Sequence, residues 1–131
     1  MPIILTHGWP STFFEMTKLI PLLADPAAHG GNAADAFDVV VPSLPGYGFS
    51  QAAERGGLTT YLIARLWRTL MHEVLGYRRF AAHGGDIGSG VTAWLGFQFP
   101  DNVLGIHVSA VRKPHIDGDS PPLTEAERHF A

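Results

Sequence analysis

Residues Gly84-Gly85-Asp86-Ile87-Gly88 constrain the fold more than any other part of this 131-residue chain. They follow a short apolar stretch, Phe80-Ala81-Ala82, and precede the apolar helical pattern Val91-Thr92-Ala93-Trp94-Leu95. Small residues two positions either side of a polar apex mark a strand that turns sharply into a helix. The turn is so tight that a side chain larger than Gly at either flank would collide with the backbone. Serine is the usual occupant of such an apex; here it is Asp86. That exchange moves the expected chemistry from acyl transfer to attack on an sp3 carbon.

The rest of the chain agrees with a strand–helix alternation. Pro2–Thr6 is a continuous apolar run, as a central parallel strand requires. Ser11 or Thr12 caps a predicted helix over 12–23 whose apolar residues are Phe14, Met16, Leu19, Ile20 and Leu23, with Pro21 kinking its last turn. Residues 25–35 read as a loop, 37–41 as a second strand closed by Pro42, and the Gly- and Pro-punctuated stretch 43–57 as a long loop. Thr59 is the N-cap of the clearest helix, with apolar doublets Leu62-Ile63, Leu66-Trp67, Leu70-Met71 and Val74-Leu75, and Gly76 as its terminator. A strand over 80–82, the elbow, a helix to about residue 99 and a strand over 103–109 follow. Residues 112–122 are rich in Pro, Asp and Gly, and 123–130 begin another helical pattern. The order β-α-β-α-β-α-β demands right-handed crossovers and a parallel sheet.

Composition narrows the function classes. Hydrophobic residues make up 46% and charged residues 16%, which suits a buried sheet under helices rather than disorder. A net charge of −3, with no long run of Lys or Arg, gives no electrostatic case for nucleic acid. Cysteine is absent, which excludes disulfides and thiolate metal sites. No His or carboxylate spacing suggests a metal site, and no cofactor is expected. No stretch reaches the roughly 18 apolar residues of a membrane helix. The apolar N-terminus lacks a charged n-region and reads as a buried strand, so a soluble cytoplasmic protein is expected.

Three motifs carry a resemblance. His7-Gly8-Trp9-Pro10 follows the first strand, Leu44-Pro45-Gly46-Tyr47-Gly48-Phe49-Ser50 follows the second, and the Asp86 elbow follows the third. In this order and spacing they resemble the epoxide hydrolases of the α/β-hydrolase superfamily. Leu19-Ile20-Pro21-Leu22-Leu23 and Asp38-Val39-Val40-Val41-Pro42-Ser43 look most like the microsomal-type branch. The resemblance spans about residues 3–123. The fold it implies is a partial α/β-hydrolase core over 1–131, with about four parallel strands flanked by helices and the start of a lid at 112–131.

The resemblance implies a small-molecule epoxide substrate and a two-step reaction. Asp86 is the nucleophile and forms a hydroxyalkyl ester; water activated by a His then releases a vicinal diol. A carboxylate is anionic near neutral pH without a base, so alkylation needs no Ser–His pair. The backbone N–H groups of Trp9 and Ile87 form the implied oxyanion hole. His7, Gly8, Pro10, Gly84, Gly85 and Gly88 support it, and Pro10 is a candidate for a cis bond. Two departures stand out. The family often carries Trp where this chain has Ile87, which a backbone contact tolerates but which weakens a haloalkane dehalogenase reading. The family's catalytic His, its orienting acid and its lid tyrosines normally lie beyond the last residue here, and further strands precede the first motif. The chain is thus expected to be an internal piece of a larger enzyme, impaired in turnover.

The remaining chemistry-bearing residues have plainer readings. His7 orients backbone rather than taking protons, His83 is a buried hydrogen-bonded imidazole, and His72 and His107 are structural or exposed. His115 and His129 match no family position. Neither Tyr47 nor Tyr61 matches a lid tyrosine, Ser89 lies past the apex, and Trp67 and Trp94 read as core. Asp117 and Asp119 read as solvated. Two alternatives remain open: a dehalogenase or other Asp-nucleophile hydrolase, and a non-catalytic fragment or interaction module that self-associates through exposed core.

Overall fold

The computed structural model describes residues 1–54, 56–111, 124–125 and 128. Four parallel strands form one sheet: β1 (Pro2–Thr6), β2 (Asp38–Val40), β3 (Phe80–Gly84) and β4 (Val103–Val108), in the order β2-β1-β3-β4. Flanking them among the described residues are the helices α1 (Leu19–Ala24), α2 (Thr60–Thr69) and α3 (Ile87–Gln98). The chain leaves β1 for β2 on one side and returns to β3 on the other. A crevice therefore opens where the C-terminal ends of β1 and β3 diverge, the place where open α/β sheets bind ligands. Register sharpens the point: Thr6 pairs with Gly84, so both strands end at the same level.

Side-chain alternation on β3 sets the layers. Phe80, Ala82 and Gly84 are buried toward α2 and α3, where Ile4, Ile63, Trp67, Met71, Val91 and Leu95 complete the core. Ala81 and His83 point to the opposite face. There Ile3 and Leu5 of β1 and Leu19 and Leu23 of α1 line an apolar cavity with His83 and His107.

Several elements differ from the sequence expectations. The single helix over 12–23 is two pieces: a 3-10 turn at Phe13–Met16 capped by Thr12, and α1 from Leu19. Pro21 occupies the first turn of α1, where its missing N–H has no helical partner to lose. The stretch 25–35 holds two further 3-10 turns, at Pro26–His29 and Ala33–Asp35. Thr59 caps α2, its side chain accepting from the Leu62 N–H at 3.3 Å. The four-residue spacing of the doublets exceeds the helical 3.6, so an α-helical stripe would drift, and the wider π turn at Leu70–Val74 offsets that drift. Gly76, at φ 77°, ends this segment.

Trp67 is core, and its indole donates to the buried Thr6 hydroxyl at 3.1 Å. Trp94, expected in the core, is 37% exposed and meets Tyr61 and Phe97 edge-on. It sits on the outer face of α3, whose inner face is taken by Val91 and Leu95. The expected lid start at 112–131 and helix over 123–130 lie largely outside the described residues, as do His115, Asp117, Asp119 and His129. No helix among the described residues is long and apolar enough to cross a membrane.

Candidate active site

The elbow is built by close approach. A Cβ on Gly84 would fall inside contact distance of the Gly88 carbonyl, and one on Gly88 inside that of the Thr6 carbonyl. A Cβ on Gly85 would lie 2.8 Å from the Ser109 hydroxyl. These glycines let α3 start hard against the ends of β1 and β3. Between them Asp86 takes φ 48° and ψ −118°, a combination side chains rarely adopt. Among the described residues it is the single non-glycine with positive φ. Such a conformation persists only where the surroundings over-determine it, and these do.

Asp86 is the N-cap of α3, so its carboxylate sits at the positive end of a 12-residue helix. Ile87, the first residue of that helix, contributes one of the initial N–H groups that no helical carbonyl can reach. From the other side comes the loop after β1. The Trp9 N–H donates to Asp86 Oδ2 at 2.8 Å, across 77 residues of sequence. Gly8 permits this contact, because a Cβ there would stand 2.6 Å from the Asp86 Cβ and 2.8 Å from Oδ2. The Trp9–Pro10 peptide is cis.

His7 is fully buried, and both ring nitrogens are engaged. Nδ1 lies 2.9 Å from the Gly8 carbonyl, and Nε2 accepts from the Leu44 N–H at 3.0 Å. Tyr47 packs edge-on to the ring at 5.3 Å. The first two motifs are thereby joined through one imidazole. Ser89, one turn into α3, is held by backbone groups. Its hydroxyl donates to the Gly84 carbonyl at 2.8 Å and accepts from the Ala110 N–H at 3.3 Å, clipping β3, α3 and the exit of β4 together.

A cavity of about 470 Å³ opens beside Asp86, lined by Ser89, Gly90, Ala93, Val108, Ala110 and Val111. Its wall is mainly apolar, so the carboxylate is the charged group facing an uncharged surface. The arrangement places an oriented carboxylate at the edge of a small, mainly apolar cavity.

The other histidines stand apart. His83 and His107 pair in register on β3 and β4 and stack at 4.9 Å, with their Nδ1 atoms 2.8 Å apart. Burial lowers the His83 pKa below 6.5; the His107 carbonyl opposes the shift, the His107 charge adds to it, and Glu15 opposes it. Sequence reading assigned each imidazole separately and missed the pair. His83 falls three residues beyond the first residue of its strand and His107 four, and only the register shift between Phe80 and Ala81 brings them level; nothing in sequence fixes that register. Among the described residues no three His, Asp or Glu side chains gather as a metal site.

The whole chain, residues 1–131, matches the family profile described as the alpha/beta hydrolase fold. It is 43% identical over 108 residues to Epoxide hydrolase 1 of Oryctolagus cuniculus, covering 82% of this chain and 24% of that protein. The juvenile hormone epoxide hydrolase of the silkworm Bombyx mori superposes with a TM-score of 0.73 at 36% identity, covering 82% of this chain and 27% of the other. An Aspergillus niger epoxide hydrolase gives 0.71 at 34% identity, with 98% and 33% covered. The chain thus spans about a quarter of the length of the curated relatives it matches.

Proposed function

Because the chain belongs to the α/β hydrolase fold family, with epoxide hydrolases among its relatives, we propose that it carries the alkylating half of an epoxide hydrolase site. The observation that carries this reading is the Trp9 N–H fixed at 2.8 Å on the Asp86 carboxylate at the tip of the elbow. A carboxylate oxygen of Asp86 attacks an epoxide carbon. A C–O ester bond forms, the ring C–O bond breaks, and the released alkoxide takes a proton to become a hydroxyl. Water then adds to the carboxyl carbon of the ester through its oxygen lone pair and gives up a proton to solvent, while the C=O π pair moves onto the carbonyl oxygen. The Trp9 and Ile87 amides stabilise that oxyanion. Collapse expels the diol and restores the Asp86 carboxylate.

None of the histidines in this sequence matches the motif position from which the family activates water. We therefore expect the ester to accumulate on this chain rather than turn over. The test is intact-protein mass after incubation with a small aryl epoxide, comparing the protein with Asp86→Asn. Loss of the adduct in the variant supports the assignment, and an unchanged adduct yield sinks it. Halide release from a haloalkane, without any epoxide adduct, would favour a dehalogenase instead.

A second reading has its own observation. Tyr61, Trp94 and Phe97 leave an apolar face on α2 and α3 exposed, as an interaction module would. Sedimentation over a concentration series, with no epoxide adduct, would favour it if the chain self-associates.

A further inference from the structure

We infer that His7 is a positioning residue for the oxyanion donor: held as the Nδ1–H tautomer between Gly8 and Leu44, it fixes the peptide plane that aims the Trp9 N–H at Asp86. The inference rests on the proposed role of that N–H, and begins from peptide geometry. The Gly8 carbonyl and the Trp9 N–H belong to one planar unit and point in opposite directions. Whatever holds the carbonyl therefore aims the N–H. Two donors hold it: His7 Nδ1 at 2.9 Å and the Ser11 N–H at 3.1 Å. On the far edge of the same plane the Trp9 N–H meets Asp86 Oδ2 at 2.8 Å.

The tautomer follows from the partners. A backbone carbonyl can only accept, so Nδ1 must carry the proton it donates to Gly8. A backbone N–H can only donate, so Nε2 must present its lone pair to Leu44. The two requirements agree, and they leave the fully buried ring no free nitrogen for proton transfer. The resulting chain runs in one direction: Leu44 N–H to Nε2, Nδ1–H to the Gly8 carbonyl, Trp9 N–H to the carboxylate. Each bond polarises the next, so the last donor is strengthened as well as aimed.

Residue 8 explains why a clamp is needed. No Cβ fits there, because it would strike Asp86, so residue 8 must be glycine. Glycine leaves the flanking peptide planes freer to rotate than any other residue. The close approach that the site requires thereby removes the steric restraint that would otherwise set the plane. His7 restores that restraint from behind. Its own position is secured by Thr6, fully buried and bonded to Trp67, and by the Tyr47 ring.

Long-range ¹H–¹⁵N spectra of the wild-type protein read the tautomer directly. The expected result is a pyrrole-type Nδ1 and a pyridine-type Nε2 on His7. The opposite tautomer, or a doubly protonated ring, overturns the inference without any variant having to fold. Two substitutions of similar size then separate donor from bulk. His7→Asn keeps an N–H near the position of Nδ1, whereas His7→Leu does not. His7→Leu should slow alkylation of Asp86 roughly tenfold, the loss of one hydrogen bond's worth of orientation, and move the Trp9 amide proton upfield. His7→Asn should stay within about threefold of wild type and keep the amide shift. Equal rates in both variants, or an unmoved Trp9 amide in His7→Leu, overturn the inference. If the wild-type protein forms no adduct, the proposed function fails, while the tautomer and the Trp9 shift still decide the clamp.

Discussion

Gly8→Ala should uncouple the oxyanion loop from Asp86 while leaving the sheet intact. The added Cβ would sit 2.6 Å from the Asp86 Cβ and 2.8 Å from Oδ2. Carbon atoms pack at about 3.5–4.0 Å, so loop and elbow must separate by roughly 1 Å. The Trp9–Asp86 contact now stands at 2.8 Å, and that displacement carries it past any useful hydrogen-bond distance. A carboxylate displaced by about 1 Å from its line of attack can lose roughly 100-fold in rate, so alkylation of Asp86 should slow by roughly 10- to 100-fold. Overpacking should cost about 1–3 kcal/mol of stability, read separately by urea unfolding. The assay is the initial rate of adduct formation with an aryl epoxide, followed by intact mass below the unfolding transition. Gly105→Ala is the control, because nothing lies within 4 Å of a Cβ there. A Gly8→Ala protein that alkylates at the wild-type rate would refute the claim that this contact orients the carboxylate.

Two further outcomes test the supports. Trp67→Phe removes the indole donor to Thr6 and leaves that buried hydroxyl without this partner, so thermal unfolding should show a loss of about 1–3 kcal/mol. An unchanged midpoint would mean that the bond contributes nothing to the end of β1. His83 sets a pH dependence. Burial holds its folded pKa below 6.5, so the unfolded chain binds that proton more tightly. Its contribution is fully present above about pH 6.5 and is lost as the pH falls toward the lower folded value. The groups facing it are His107 on β4 and Glu15 in the first 3-10 turn. Urea midpoints should therefore fall on acidification from about pH 8 to 5.5, and His83→Leu should flatten that fall. A slope of the same size in the variant would assign the effect elsewhere.

What the sequence revealed was governed by local sterics, and what it hid was governed by register. The elbow was legible because close backbone contacts leave glycine no substitute at 84 and 88, and that pattern survives in any context. The Thr59 cap and the Gly76 stop were legible because each rests on one residue's own chemistry, a hydroxyl acceptor and a tolerance of positive φ. The break between the Phe13–Met16 turn and α1 was not, because a continuous apolar face does not reveal where hydrogen bonding lapses. Trp94 was misplaced because α3 is apolar on most sides, so its composition does not say which side meets the sheet. Within the site, the spacing of the motifs brought Trp9 and Asp86 together on paper. The His7 bridge to Leu44 was invisible, because it joins two loops whose separation depends on how β1 and β2 pair.

Peptide mapping of the wild-type chain after exposure to an aryl epoxide tests the central claim most directly, with circular dichroism first confirming a folded protein. The account requires one adduct per chain, carried as an ester on the peptide that contains Asp86 and released by hydroxylamine. A folded chain that stays unmodified, or that carries its adduct on a histidine or another carboxylate, would contradict it.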